Sequence, residues 1–108
     1  MRTFNIKRFK KGWFIGNFKN AIYETEEIEI AHQSFKKGHV GDKHTHHISI
    51  ELTYIVMGKM EVSGKILKAG DFFEYSPYEI SNTKFLEDTE IIVIKVPSLP
   101  DDKFPVDE

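Results

Sequence analysis

Apolar residues fall in short runs along this chain, separated by turn signals, and one run alternates with polar residues. Glu27-Ile28-Glu29-Ile30-Ala31-His32-Gln33-Ser34-Phe35 changes character at nearly every step, the period of a strand with one buried face. Leu52-Thr53-Tyr54-Ile55-Val56-Met57 is β-branched and aromatic and stops at Gly58. Lys59-Met60-Glu61-Val62 and Lys65-Ile66-Leu67 flank Ser63-Gly64, which predicts a tight hairpin. Ala69-Gly70-Asp71 turns into Phe72-Phe73-Glu74-Tyr75, and Pro77 marks the next break. Glu90-Ile91-Ile92-Val93-Ile94-Lys95-Val96 is a further strand, ending before Pro97, which has no N–H to give a ladder. Turn signals recur every 8–12 residues or so without a sustained helical period, the pattern of an all-β barrel or sandwich. After Ser98 the tail is interrupted by Pro100 and Pro105, so no central strand is expected there.

Composition narrows the function classes. A chain of 108 residues fits one domain, and at this size about 65% of the unfolded surface is buried, enough for a single core. The hydrophobic share of 40% and the aromatic share of 13% argue against disorder. With no cysteine, a disulfide framework, a thiolate zinc site and a cysteine nucleophile are excluded. No apolar run approaches the ~18 residues that span a bilayer, so no membrane partner is expected. The N-terminal charges precede no apolar stretch, so a secretory signal is not legible and a cytoplasmic location is expected. A net charge of −2 argues against a general nucleic-acid binder. Residues 1–23 nevertheless carry Arg2, Lys7, Arg8, Lys10, Lys11 and Lys19 and no acid. An anionic ligand would explain them, and lysines guarding a strand edge explain them more simply.

Five histidines are present, and three fall within four positions in Gly38-His39-Val40-Gly41-Asp42-Lys43-His44-Thr45-His46-His47-Ile48-Ser49-Ile50-Glu51. On a strand His44 and His46 project from one face, and neutral imidazole ligates several transition metals. Glu51 would add a carboxylate, a set that covers one side of an ion and leaves the other open. A straight strand, however, puts Glu51 on the opposite face. It can join the two rings only if the chain turns a corner or bulges between positions 47 and 50. In an unbulged strand His47 is the rival ligand. The simpler alternative is a pair of surface histidines on an edge strand.

The fuller spacing resembles the first motif of the cupin superfamily: Gly38, five residues, His44-Thr45-His46, four residues, Glu51, six residues, Gly58. Gly70-Asp71 and Pro77 look like the first half of the second cupin motif. Its second half departs, with Glu79 where glycine is usual, Asn82 where a histidine is usual and Leu86 near the final asparagine position. Trp13 to Phe18, Lys95-Val96-Pro97-Ser98 and Asp102-Lys103 look like the ends of short, stand-alone cupins. The resemblance implies an all-β double-stranded β-helix (a jelly-roll barrel), usually dimeric, as one domain over 1–108. Its core would run from about 26 to 97, with N-terminal strands in 1–25 and a proline-containing tail in 98–108. It also implies metal ligands at His44, His46 and Glu51 for a divalent transition metal (Fe, Mn, Ni, Co or Zn). Asn82 at the usual fourth position implies either three protein ligands plus water or a site that has lost its metal.

Other residues have two readings each. His32 could line the barrel as a fourth imidazole and touch substrate, as could Asn82, or it could be a hydrogen-bonded core residue. His39 sits in a glycine-bounded loop and is expected to be solvated. Lys95 interrupts an apolar strand. Inward it would need a carboxylate or an anionic ligand, and the expectation is the outward, edge position. Phe72, Phe73, Tyr75 and Tyr78 could line a pocket or simply pack.

Three functions fit. The first is a metal-dependent enzyme that isomerises, epimerises or oxygenates a small molecule. The second is a metal-free acid–base enzyme on a sugar nucleotide, for which Gly41-x-x-His44-x-His46 is similar to the ketoisomerases of the superfamily. The third is a non-catalytic small-molecule binding module. The expected partners are a small carbohydrate or anionic ligand and a second copy of the chain.

Overall fold

The alternating runs fold as strands on two facing sheets. The structure, a computed structural model, describes residues 1–107. Its strands are β1 (Trp13–Gly16), β2 (Tyr23–Glu24), β3 (Glu29–Phe35), β4 (His44–Thr45), β5 (Ile50–Met57), β6 (Lys59–Val62), β7 (Lys65–Lys68), β8 (Phe72–Tyr75), β9 (Thr83–Phe85), β10 (Thr89–Val96) and β11 (Phe104–Pro105). The larger sheet has the order β2-β1-β3-β10-β5-β8, and β7-β6-β9 faces it. The pair β11-β4 extends the second layer, because isolated bridges join Val40 to Lys84 and His44 to Ser81. This is a double-stranded β-helix. Among the described residues there is no α-helix, and none is long and apolar enough to cross a membrane.

The strand period decides what lies inside. Along β10, Thr89, Ile91, Val93 and Lys95 are buried while Glu90, Ile92 and Ile94 alternate with them as half-exposed residues. Opposite them stand Phe35, Gln33, Ala31 and Glu29 of β3. Ala31, Ile55, Tyr75, Ile91 and Val93 of the large sheet pack on Met60, Val62 and Phe85 of the small one, with Trp13 and Phe73 at the margin. The outer face of the large sheet keeps Ile50, Val56, Phe72 and Val96 exposed.

Two turns show how the sequence steers the chain. Ser63 and Gly64 both take positive φ, 47° and 83°, the mirror-image turn whose twist suits a two-residue hairpin. Gly58 passes the chain from β5 in one sheet to β6 in the other with φ of 101°. A Cβ there would collide with Thr89 and the backbone of Asp88, so the position needs glycine for both conformation and space.

The N-terminal segment contributes β1 and β2, and the chain ahead of them turns rather than extends. Residues Ile6–Arg8 and Lys10–Gly12 form two short 3-10 turns. The second turn rests on β3, where the Gln33 amide donates to the Lys11 carbonyl at 2.9 Å. The Arg2 and Arg8 guanidinium groups lie over the Phe4 ring at 5.3 and 5.1 Å, a favourable contact for a cation on a π face.

Candidate metal centre

His44, His46 and Glu51 meet across the two layers. Their ligand atoms all lie within 4.8 Å of one another. His44 belongs to β4, which bridges to Ser81 of the second layer, and Glu51 belongs to β5 of the large sheet. Strand geometry would separate them, so the parity must change in between. It changes because β4 ends at Thr45 and β5 begins at Ile50. His46 and Glu51 both face inward, while Ile48 between them is 61% exposed.

The corner is held from far away in sequence. The buried Asp102 carboxylate accepts three backbone N–H bonds, from His47 at 2.9 Å, Ile48 at 3.1 Å and Ser49 at 2.8 Å. Ser49 Oγ also donates to the Pro97 carbonyl at 2.8 Å. Backbone groups that a strand would have paired are thus satisfied by one carboxylate, which is what a buried corner needs. The tail brings Asp102 there by running as β11 beside β4, with Phe104 opposite Thr45 and Pro105 opposite His44. Pro105 is tolerated because this is a two-residue edge strand.

Second partners set the imidazole tautomers. His44 Nδ1 donates to the Asp42 carbonyl at 2.8 Å, and His46 Nδ1 donates to the Asp102 carbonyl. A carbonyl only accepts, so each Nδ1 carries the proton and each Nε2 is presented to Glu51. The Nε2 atoms of His46 and His44 stand 2.8 and 3.4 Å from Glu51 Oε2. Such backbone-fixed imidazoles are the usual outer support of metal-ligating histidines.

The same contacts shift the charges. The Glu51 carboxylate raises the His46 pKa above its ordinary value, helped by the Asp102 carbonyl and opposed by burial and by the Lys95 charge. Burial pushes Glu51 upward, but the His44 and His46 rings outweigh it and hold the carboxyl at about 2. Burial also pushes Asp102 upward, and the N–H groups of Ser49, His47 and Ile48 overcome it and leave the carboxyl below its ordinary value. Without a metal, these contacts favour the protonated His46 ring beside the Glu51 carboxylate. Two neutral Nε2 atoms and a carboxylate oxygen at these separations form a donor set for a divalent transition ion, with bonds of about 2.0–2.2 Å in the case of zinc.

The triad lines a cavity of about 720 Å³ between the sheets. Phe73, Ile91 and Val93 give it an apolar floor beside the Thr53 hydroxyl, and Ser81 and Thr83 supply hydroxyls on the opposite side. Lys95 corrects the expectation of an outward edge lysine. It is 8% exposed and lines the cavity. Its Nζ lies 3.1 Å from Glu29 Oε2, so the buried cation has the carboxylate it requires. The parity of β10 forces this, since Ile91 and Val93 must face the core.

The remaining candidates go elsewhere. His32 shares the outer face of the large sheet with Glu90, and its Nε2 is 3.0 Å from Glu90 Oε1. Of its two readings, the ring takes the hydrogen-bonded one, although the residue borders the cavity. Asn82 is exposed, with its backbone tied to Tyr75 Oη and to Ser63. Its neighbours Ser81 and Thr83 face the cavity instead, so an amide ligand from Asn82 does not reach the triad. His47, the rival ligand, is stacked outside between Tyr78 and Phe104, with ring centres at 4.6 and 3.8 Å. His39 is exposed and rests on Phe35. Of the four aromatic candidates, Phe73 and Tyr75 face inward, while Phe72 and Tyr78 are exposed. Sequence reasoning missed Asp102, because nothing local marks a tail aspartate as a partner for residues about fifty positions earlier.

A His-x-His strand, a capped corner and a carboxylate on the next strand, enclosed by a double-stranded β-helix, define a barrel protein with a metal-type centre in its mouth. Solved structures agree on the barrel. KdgF from Halomonas sp. is 28% identical with a TM-score of 0.66, over 71% of this chain and 74% of that one. An uncharacterized conserved protein with a double-stranded β-helix domain from Klebsiella pneumoniae is 15% identical with a TM-score of 0.73, over 99% of this chain and 93% of that one. A cupin protein from Bacteroides fragilis is 19% identical with a TM-score of 0.55, over 66% of each chain. No family model and no curated protein matches the sequence. The chain shares the fold of these double-stranded β-helix proteins, the cupin protein among them.

Proposed function

We propose that this chain is a cupin and a metal-dependent enzyme acting on a small molecule, with His44, His46 and Glu51 as ligands of one divalent transition ion. The observation that carries the reading is the pair of Nδ1–H donations to backbone carbonyls, which leaves both Nε2 atoms aimed at one carboxylate oxygen. A bound ion would act there as a Lewis acid toward a substrate oxygen in the open half of the cavity. The protein's own contribution is orientation and exclusion of water. Asp102 holds the corner, Asp42 and Asp102 hold the rings, and Phe73, Ile91 and Val93 line the floor with apolar surface. Isomerisation, epimerisation and oxygenation all suit such a centre.

The direct Glu51 contact with both rings also supports a second reading, metal-free proton transfer by an imidazolium–carboxylate pair on a keto-sugar. One experiment separates the two. Protein purified without chelator and reloaded with Mn, Fe, Co, Ni or Zn is expected to retain about one ion per chain, and to gain thermal stability from it. Stoichiometry near zero after reloading overturns the metal reading.

A further inference from the structure

The inner face of the large sheet carries a row of charges of which the triad uses only one end. Register places Lys95 of β10 opposite Glu51 of β5 on one side and opposite Glu29 of β3 on the other. Residues facing each other this way have Cβ atoms about 4.5–5.5 Å apart. Lys95 and Glu29 are both 8% exposed, and Lys95 Nζ lies 5.5 Å from the centre of the Trp13 ring. Glu29 is itself held in place. Its Oε1 accepts from Ser98 Oγ at 2.7 Å, and that hydroxyl accepts from the Asn17 N–H at 2.9 Å.

A buried ion pair is a costly way to join two strands, because apolar residues of similar volume often serve as well or better. This pair lies in the wall of the cavity that holds the triad. An ammonium group has three N–H donors. Glu29 takes one and the Trp13 face covers one flank, so donor capacity remains for a group inside the cavity. With a divalent ion on Glu51 and the Lys95–Glu29 pair balanced, the inner wall would hold surplus positive charge beside apolar Phe73, Ile91 and Val93. A low-dielectric site with that surplus favours an anion.

We propose that Lys95 is a substrate-binding residue, and that the substrate is a small organic anion whose carboxylate or enediolate oxygen sits between the Lys95 ammonium and the His44/His46/Glu51 centre. The inference rests on the metal-centre reading above and goes further by naming the ligand class. Lys11 and Lys103 line the same cavity, against Asp42 alone among nearby acids outside the Glu29 and Glu51 positions, which suits entry of an anion.

The test uses the metal-loaded full chain and two probes of equal shape, glycolate and its neutral amide glycolamide, followed by ligand-observed NMR. Wild type is expected to prefer glycolate by about tenfold or more, since hydrogen bonds between charged groups are the stronger kind. Lys95→Met is expected to lose most of that preference while retaining its metal, and Lys95→Arg is expected to restore part of it. If Lys95→Met fails to fold around an unpaired Glu29, the double variant Glu29→Gln/Lys95→Met removes both charges and carries the same expectation. Equal glycolate binding by wild type and a charge-free variant overturns the role of Lys95 and leaves the metal reading standing. A wild-type protein that takes up no metal overturns both.

Discussion

Asp102 holds His46 with its backbone and the three residues after His46 with its side chain. One residue of the tail thereby sets both the tautomer of a ring and the path of the chain to Glu51. Asp102→Ala leaves three buried or half-buried N–H groups without their charged acceptor. The expected loss is about 2–4 kcal/mol, on the scale of hydrogen bonds to charged groups. Metal affinity is expected to fall about 10–100-fold. Urea unfolding and calorimetric metal titration check both, and a variant that binds metal like wild type would disprove the positioning role.

Proton and metal compete for the same Nε2 atoms. His46 is raised by Glu51, so below that raised value the metal must displace a proton. Apparent metal affinity is therefore expected to climb with pH through the region at and above 6.5, with proton release on binding. Titrations in buffers of different ionisation enthalpy measure that release.

Stability of the metal-free protein follows the opposite trend on the basic side. A raised His46 stabilises the fold fully below the unfolded value of 6.5 and ceases to do so as pH rises through its folded value. Glu51, held at about 2 against an ordinary 4.5, stabilises above 4.5 and ceases to do so as pH falls toward 2. The difference between wild type and Glu51→Gln should thus be largest between about pH 4.5 and 6.5. Denaturation series at spaced pH values would show this window, and a flat difference would contradict it.

Four of the five histidines should separate cleanly by function. His44→Ala and His46→Ala are expected to weaken metal binding by more than about 100-fold, since each removes a ligand. His32→Ala and His39→Ala should leave it within about threefold, because His32 engages Glu90 on the outer face and His39 rests on Phe35. Loss of metal from the His32 variant would mean that this ring reaches the centre.

Gly58→Ala should cost about 2–4 kcal/mol through the positive φ and the collision with Thr89. Because the turn lies between β5 and β6, away from the corner at 47–49, the folded fraction should still bind metal with wild-type affinity. A thermal melt with and without metal separates the two effects.

Much of this protein was legible in its residues alone. Period-two alternation marked β3, apolar β-branched runs stopping at Gly58 and Pro97 marked β5 and β10, Ser63-Gly64 marked the hairpin, and the spacing of His44, His46 and Glu51 marked the site. Alternation states which residues share a face, but it does not state which face is inside. His32 and Lys95 were ambiguous for that reason. The neighbours that decided them, Glu90 for one and Glu29 for the other, arrive through the pairing of β3 with β10, dozens of residues apart. Asn82 raised the same question, and one step of pleat settled it, turning Ser81 and Thr83 inward in its place. Whether Glu51 could join the histidines depended on a break in strand parity at 47–49. Local propensity does not encode that break, since it exists only where a distant carboxylate can satisfy the freed backbone. The chain thus specified its strands and its ligand types through short-range periodicity. Closure of the barrel, which brings Asp102 to the corner and Lys95 beside Glu51, determined where those groups act.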